Sequence, residues 1–253
     1  YLPYTLSEKL LNWLRPSIGG GRIVEGGFLW RGSLKQPQHR TVQLFFDIEA
    51  AALDYHPQWP GLTELDGLVV IADTDVDVYA QRARLLDSQA TDLSVTLRSA
   101  PNKNLLLNVS GQIEGDASDG LAVVNNSPLR DIVGDTFADW QLQGALGTHL
   151  QLKLNLSDSS QAPVVRVNTD WRGVQLDAVP LNLQVDAVTG QLDFNTETGF
   201  SASGIKAVLW GQQLSADVSQ GREGKRLAEL DIAAQGVVRT LDLQAWLQQD
   251  VLA

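Results

Sequence analysis

The sequence predicts a mainly β fold, a large antiparallel meander interrupted by three short amphipathic helices. Three observations predict it. Apolar and polar residues alternate with a period of two in at least six stretches, the signature of strands with one apolar and one polar face. Turn-forming clusters separate those stretches. Three other stretches, widely spaced, abandon the alternation for a helical period and carry capping residues.

The strands come in order. His39–Glu49 places Val42, Leu44, Phe46 and Ile48 on one face. Asp92–Arg98 does the same with Leu93, Val95 and Leu97, and Asn104–Ser110 with Leu105, Leu107 and Val109. His149–Ser157 is the clearest case, with Leu150, Leu152, Leu154 and Leu156 alternating with polar residues. Leu181, Leu183 and Val185 follow, then Leu214, Ala216 and Val218. One-sided strands of this kind favour antiparallel pairing over a parallel sheet buried on both faces. The clusters Glu114–Gly120, Thr198–Gly199 and Gly221–Lys225 read as hairpin turns. The segment Asp54–Gly61 holds two prolines and reads as an ordered loop. The spacing of runs and turns corresponds to about a dozen strands.

The helices are expected near residues 5–15, 128–140 and 241–252. The first opens with a Thr5 to Glu8 capping box, carries Leu6, Leu10 and Leu14, and ends at Pro16. The second has Ser127 as N-cap and Pro128 as first helical residue, and continues through Ile132 to Phe137 and Trp140. The third runs from Leu241 through Trp246. Each ends in or near a tryptophan. Their spacing suggests two diverged halves, 1–126 and 127–253, each a helix followed by a meander and together one groove-forming unit.

Composition bounds the function. The chain has 253 residues, no Met and no Cys, and a formal net charge of -11. Beginning at Tyr1 without Met, it reads as a segment of a longer protein. Without Cys there are no disulfides, no thiolate nucleophile and no thiolate metal site. The acidic balance repels phosphate backbones and anionic headgroups, so nucleic-acid binding is excluded as an expectation. No apolar run reaches the length of a membrane-spanning helix.

No residue pattern points to catalysis. His39, His56 and His149 are not spaced as metal ligands and read as surface or loop residues. Asp73-Thr-Asp75-Val-Asp77 resembles the start of a calcium loop. The glycine position is Val78 and the bidentate glutamate position is Arg84, however, so the three carboxylates read as a solvated stripe on one strand face. Gly19–Gly21 and Gly221–Gly224 lack the rest of a phosphate loop and read as turns. No Gly-x-Ser-x-Gly elbow occurs, and no acidic pair stands out among aromatic residues as a hydrolase centre would. The expectation is no catalytic residue, no metal, no cofactor and no enzyme.

The apolar faces carry the functional question. A dozen one-sided strands at about 4.8 Å each make a sheet roughly 55–60 Å wide, whose apolar face must be covered. Helices of three turns, about 16 Å long, are too short to cover it. The sheet either closes on itself as a sandwich or barrel, or curls into a trough filled by something else. An apolar guest such as an acyl chain gains about 0.8 kcal/mol per buried CH₂, roughly 12 kcal/mol for sixteen carbons before entropic costs. Composition leaves both arrangements open.

Particular segments resemble a known family. Tyr1-Leu-Pro3, Leu10–Leu14 with Trp13, Gly19-Gly20 and Gly26–Gly32 with Phe28 and Trp30 form the opening. Phe45–Ile48 and Tyr55-His-Pro-Gln-Trp59-Pro60-Gly61 follow, and Gly199–Gln212 with Trp210 through Gly236 to Trp246-Leu247 closes the chain. These segments resemble the AsmA-like envelope proteins of the YhdP type, bridge-like lipid-transfer proteins related to TamB, of which this chain is an internal segment. The resemblance implies a long curled antiparallel sheet, a taco-like groove lined by aliphatic side chains. It implies an inner-membrane anchor elsewhere in the parent chain and a periplasmic location for this segment. It implies phospholipid traffic between inner and outer membrane in support of the outer-membrane permeability barrier. On that reading Val42, Leu44, Phe46, Ile48, Leu93, Val95, Leu97, Leu105, Leu107, Val109, Leu150, Leu152, Leu154, Leu156, Leu181, Leu183 and Val185 line the lipid groove. The partners are phospholipid acyl chains, the rest of the parent chain and other envelope proteins. The helices ending in Trp13, Trp140 and Trp246 either plug the trough or cap open sheet edges. The alternative is a structural spacer or protein-docking β-sandwich module without lipid.

Overall fold

Among the described residues, twelve β-strands follow one another in space as they do in sequence. They are β1 (Ile18–Gly32), β2 (Arg40–Leu53), β3 (Leu62–Ala72), β4 (Asp75–Leu85), β5 (Ser88–Ser99) and β6 (Leu105–Asp116), then β7 (Trp140–Asn155), β8 (Val164–Ala178), β9 (Leu183–Asn195), β10 (Gly199–Leu209), β11 (Gln212–Glu223) and β12 (Arg226–Gly236). In this computed structural model they form a single antiparallel sheet in the order β1 to β12, and the sheet is not closed. The structure describes residues 16, 18–33, 40–54, 57–99, 104–158, 161, 163–223 and 226–248. The meander and the strand number are as the alternation predicts. The helix expected at 5–15, with Trp13, lies outside the described residues, as do His39 and His56.

Three short α-helices lie wholly among the described residues and accompany the strands: α1 (Ala117–Asn125), α2 (Arg130–Val133) and α3 (Thr240–Leu247). Two sequence expectations are corrected between β6 and β7. Glu114–Gly120 is not a hairpin turn, because β6 runs through Asp116 and α1 begins at Ala117. Asp116 is the N-cap, its carboxylate accepting a hydrogen bond from the Ser118 N–H at 2.9 Å. An acidic residue there satisfies a free N–H of the first turn. The helix expected over 128–140 shrinks to Arg130–Val133, because Gly134 adopts φ 68° and ends it. Ser127 is not its N-cap: that position is Leu129, without a side-chain cap, and the Ser127 hydroxyl accepts from the Leu129 N–H at 3.2 Å in the turn before the helix. The helix α3 covers the first part of the expected 241–252 and ends at Leu247 with Gln248 as its C-cap.

The run Gly19–Gly21 is a further correction. It lies inside β1 rather than in a turn. Gly21, with φ 112°, packs so close to Ala51 that a Cβ would stand 2.6 Å from its Cα, so the glycine allows a bulged strand to approach its neighbour.

The chain comprises two compact units. The first is Tyr1–Ile113 with Leu150–Val164, the second Glu114–His149 with Val165–Ala253. In the first unit one buried cluster joins Ala51, Leu65, Ala80, Ala83 and Ala90, and another joins Val42, Leu44 and Ile71. In the second, the core is Ala117, Leu142, Leu146, Val174, Val188, Ile205 and Ala207.

Bulges recur in both units, and side chains support them. Ala50 adopts φ 50° and donates its N–H to the Asp66 carboxylate at 2.8 Å. Gly144, with φ 120°, donates to Asp116 at 2.9 Å, and Gly204, with φ 65°, to Asp217 at 2.8 Å. A bulge leaves one N–H out of the ladder and increases local twist. Ala50 and Gly204 stand at register shifts of the ladder, and there, as at Gly144, an aspartate accepts the N–H.

Candidate functional site

The first unit turns an aliphatic ladder to one face. Antiparallel register places Leu44 opposite Ile71, Ile71 opposite Val76, and Val76 opposite Leu97. A second rung runs Phe46, Val69, Val78 and Val95, and a third Ile48, Gly67, Ala80 and Leu93. Opposed residues in an antiparallel pair point to the same side, so three rungs about 7 Å apart cross four strands on one face. The runs read from sequence in β2 and β5 thus end the same rungs. Val69, Ile71, Val76 and Val78 complete them and were missed. Leu68-Val69-Val70-Ile71 is a continuous apolar run with no alternation to read, and Val76 and Val78 stood inside the acidic repeat.

The ladder continues into β6 and β7. A Cβ on Gly111 would stand 2.4 Å from the Leu93 side chain, and Ile113 packs on the alanine cluster. That parity puts Leu105, Leu107 and Val109 on the same face. The Leu156 N–H donates to the Leu105 carbonyl at 2.8 Å, so Leu150, Leu152 and Leu154 share the face as well. Leu156 itself lies just past β7, 43% exposed.

Burial grades along this face. Val42 and Leu44 are buried, as are Ala80, Ala83 and Ala90. Leu93, Val95, Leu97, Leu105, Leu107, Val109, Leu150, Leu152 and Leu154 are half-buried. These nine side chains bring no hydrogen-bonding group, so the surface they offer is purely aliphatic.

The opposite face of the same strands is mostly polar. Asn108 donates to Thr96 at 3.3 Å, and Arg98 to Asp77 at 2.5 Å. The hydrogen bond to Asp77, with Asp75 nearby, holds the Arg98 guanidinium above its ordinary pKa. The acidic repeat is therefore not a single solvated stripe: Asp75 and Asp77 flank Arg98. Asp73 sits in the β3–β4 turn with φ 54° and accepts the Val42 N–H at 2.9 Å. Phe45, Leu68 and Tyr79 break the polarity of this outer face, each well exposed. His149 lies exposed in β7, as its alternation predicts.

The remaining predicted residues belong to the second unit. Val185 packs at the margin of its core, and Leu183 opens β9. Leu181 is not on a strand. It ends a 3₁₀ turn, Val179–Leu181, that begins with the Val179-Pro180 step. Pro180 cannot donate to a ladder, so pairing resumes only at Leu183. The Leu181 carbonyl accepts the Trp246 indole N–H at 2.9 Å, and Trp246 also packs on Trp210 with ring centroids 6.3 Å apart. This fixes α3 beside the β8–β9 and β10–β11 connections, at the strand ends.

On its outer face the second unit carries an ion-pair bridge. Arg172 donates to Glu114 at 2.8 Å and to Asp170 at 2.7 Å. Its pKa is held well above the ordinary value, first by the hydrogen bond to Glu114 and then by that to Asp170. A Cβ at Gly147 would lie 2.7 Å from the guanidinium and 2.9 Å from Glu114, so glycine there leaves room for the bridge.

With an aliphatic face in place and no catalytic constellation among the described residues, comparison with known proteins decides the family. Residues 1–253 match the family described as YhdP protein. The chain belongs to the YhdP family. A curated relative, the "Intermembrane phospholipid transporter YhdP" of Escherichia coli (strain K12), is 22% identical over 241 residues. The match covers 93% of this chain and 19% of the relative, so this YhdP-family chain spans about a fifth of that protein's length. No solved structure matches the chain. No helix among the described residues is long and apolar enough to cross a membrane.

Proposed function

We propose that this chain is a segment of a periplasmic lipid-transfer bridge, and that the aliphatic face of its first unit holds phospholipid acyl chains. The observation that carries the reading is the register of the ladder. Rungs from β2 to β5, extended by Leu105, Leu107 and Val109 and by Leu150, Leu152 and Leu154, make a largely aliphatic surface, buried at Leu44, Ile71 and Ala80 and half-exposed from Leu93, Val95 and Leu97 onward. A half-exposed leucine has apolar area left to bury, at about 25 cal/mol per Å². The relative named as an intermembrane phospholipid transporter supports this choice of ligand.

The mechanism is holding and sliding, with no bond made or broken. Leucine and valine methyls contact an acyl chain with weak, near-equivalent dispersion forces. Moving along the ladder exchanges one set of contacts for an equal set, so the chain slides without climbing out of a specific site. The headgroup stays at the solvent edge, because the ladder offers it no partner and its burial is costly. In the parent protein, an inner-membrane anchor and the remaining segments carry the lipid between inner and outer membrane and so support the outer-membrane permeability barrier.

The test is organic extraction of purified protein followed by lipid mass spectrometry, on wild type and on Leu152→Asp and Leu154→Asp. Both positions are half-buried, so the introduced carboxylate reaches water and the β-type circular dichroism is retained. The expected result is phospholipid bound to wild type and lost from both variants. Lipid-free, stable wild type, or folded variants that keep their lipid, refutes the assignment and favours the spacer or docking module.

A further inference from the structure

In the second unit the corresponding apolar face is already occupied, by the chain itself. Ala117 is fully buried, and Leu121 packs on the core formed by Leu142, Leu146, Val174, Val188 and Ile205. A Cβ on Gly120 would lie 2.9 Å from a Leu146 methyl, so α1 lies directly on the sheet. The segment then returns to β7 through Phe137. This ring stands edge-on to Phe200 at 5.4 Å, and Phe200 contacts Phe194 at 4.6 Å.

We propose that this face of the second unit is a second acyl-chain site, and that the segment Ala117–Trp140 is a displaceable plug that closes it. The proposal rests on the lipid reading of the first unit. Three observations carry it. The surface beneath α1 is aliphatic, like the ladder, and a methylene chain fits where Leu121 now lies. The consecutive residues Leu121, Ala122, Val123 and Val124 make the second half of α1 apolar, whereas Ser118, Asp119 and Asn125 leave its two ends polar. That apolar half suits apolar surroundings, which a lipid chain beside it would supply. The helical form of α1 is also marginal. Nine residues with Gly120 among them do not hold a helix by themselves. The segment's polar fastenings include the Asp116 cap, whose carboxylate also accepts from Gly144, and an Asn125 side-chain bond to the Phe137 carbonyl at 3.1 Å, while Ala117, Leu129, Val133 and the Phe137–Phe200 contact supply the apolar ones. Gly134, with φ 68° and no atom within 4 Å of its Cβ position, leaves the return path room to pivot.

The absence of cysteine gives a clean test. The double variant Gly120→Cys with Leu146→Cys, made in the intact protein, locks α1 to β7 when oxidised. Both redox states are incubated with phosphatidylethanolamine and phosphatidylglycerol vesicles containing a phospholipid with a diazirine on its acyl chain. They are then irradiated and the adducts mapped by mass spectrometry. The expected result is adducts around Leu107 and Leu154 in both states, with adducts around Val188 and Ile205 rising at least five-fold on reduction. Adducts at Leu107 with Val188 labelled equally in both states, or in neither, overturn the plug alone. No adducts in either unit overturn the plug together with the lipid reading. As a second variant without introduced cysteines, Phe137→Ala loosens the return path. It is expected to raise labelling at Val188 while circular dichroism is unchanged, and labelling that stays at the wild-type level overturns the plug.

Discussion

Asp116 joins α1 to the sheet, and its replacement by alanine tests that connection. One carboxylate oxygen accepts the Ser118 N–H at 2.9 Å as helix cap, and the other accepts the N–H of Gly144 in β7 at 2.9 Å. Losing an N-cap costs about 1 kcal/mol. Losing a hydrogen bond to a charged acceptor costs about 1.5–3 kcal/mol when the donor is left dry. Asp116 is exposed, so water reaches Gly144 and the second figure falls to about 1. The expected loss is about 2 kcal/mol, a drop in Tm of roughly 4–8 °C for a chain of this size. Asp116→Asn keeps an acceptor for one of the two donors and is expected to lose about half as much. The assays are equilibrium urea unfolding and hydrogen exchange of the Ser118 and Gly144 amides, which should exchange faster in the alanine variant. A change below 0.5 kcal/mol, within the error of such measurements, with both amides still protected, refutes the two-way role of the carboxylate.

Two further predictions follow from the same geometry. Gly67→Ala places a Cβ 2.5 Å from the Tyr79 carbonyl oxygen and 2.7 Å from the Ala80 Cα. Backbone atoms inside a sheet cannot yield, so thermal unfolding should report a loss of about 3 kcal/mol, and an unchanged Tm contradicts the packing described here. Acid should weaken the fold through Asp66 and Asp116. The Ala50 N–H, and then Arg82, hold the Asp66 carboxyl below its ordinary value of 3.8. Burial alone would raise Asp116, but the Ser118 and Gly144 N–H groups outweigh it and lower it too. A carboxylate depressed on folding contributes its full stability above the unfolded value and loses it as pH falls through the folded value. Stability should therefore be flat in this respect above about pH 5 and decline below about pH 4. In Asp66→Asn that decline should shrink, and an acid limb identical to wild type contradicts the assignment.

Much of the fold was legible because strand alternation is a local property. Leu150-Gln-Leu152-Lys-Leu154 can only be a one-sided strand, and its neighbours read the same way. The resemblance to YhdP-type proteins was legible in the glycines and aromatics that shape turns and strand edges. The segment after β6 was not. Glu114–Gly120 has turn composition, and its helix forms because Asp116 finds two donors, one of them on β7. Leu181 failed similarly: a leucine in phase with Leu183 and Val185 belongs to the strand only if pairing reaches it, and Pro180 stops that.

The sequence by itself determined that the chain is an antiparallel meander of about a dozen one-sided strands with aliphatic faces. Those properties follow from periodicity and composition, which need no partner strand to be read. Register was decided only by the tertiary structure, which set Leu44, Ile71, Val76 and Leu97 on one rung. So was the difference between the two faces, half-exposed leucines in the first unit and a helix lying on the aliphatic core in the second. Alternation states that a side chain faces one way, whereas what it meets there depends on segments far away in sequence. Burial is a property of the pair, and α1 reaches Val174, Val188 and Ile205 only once β8, β9 and β10 have folded beneath it.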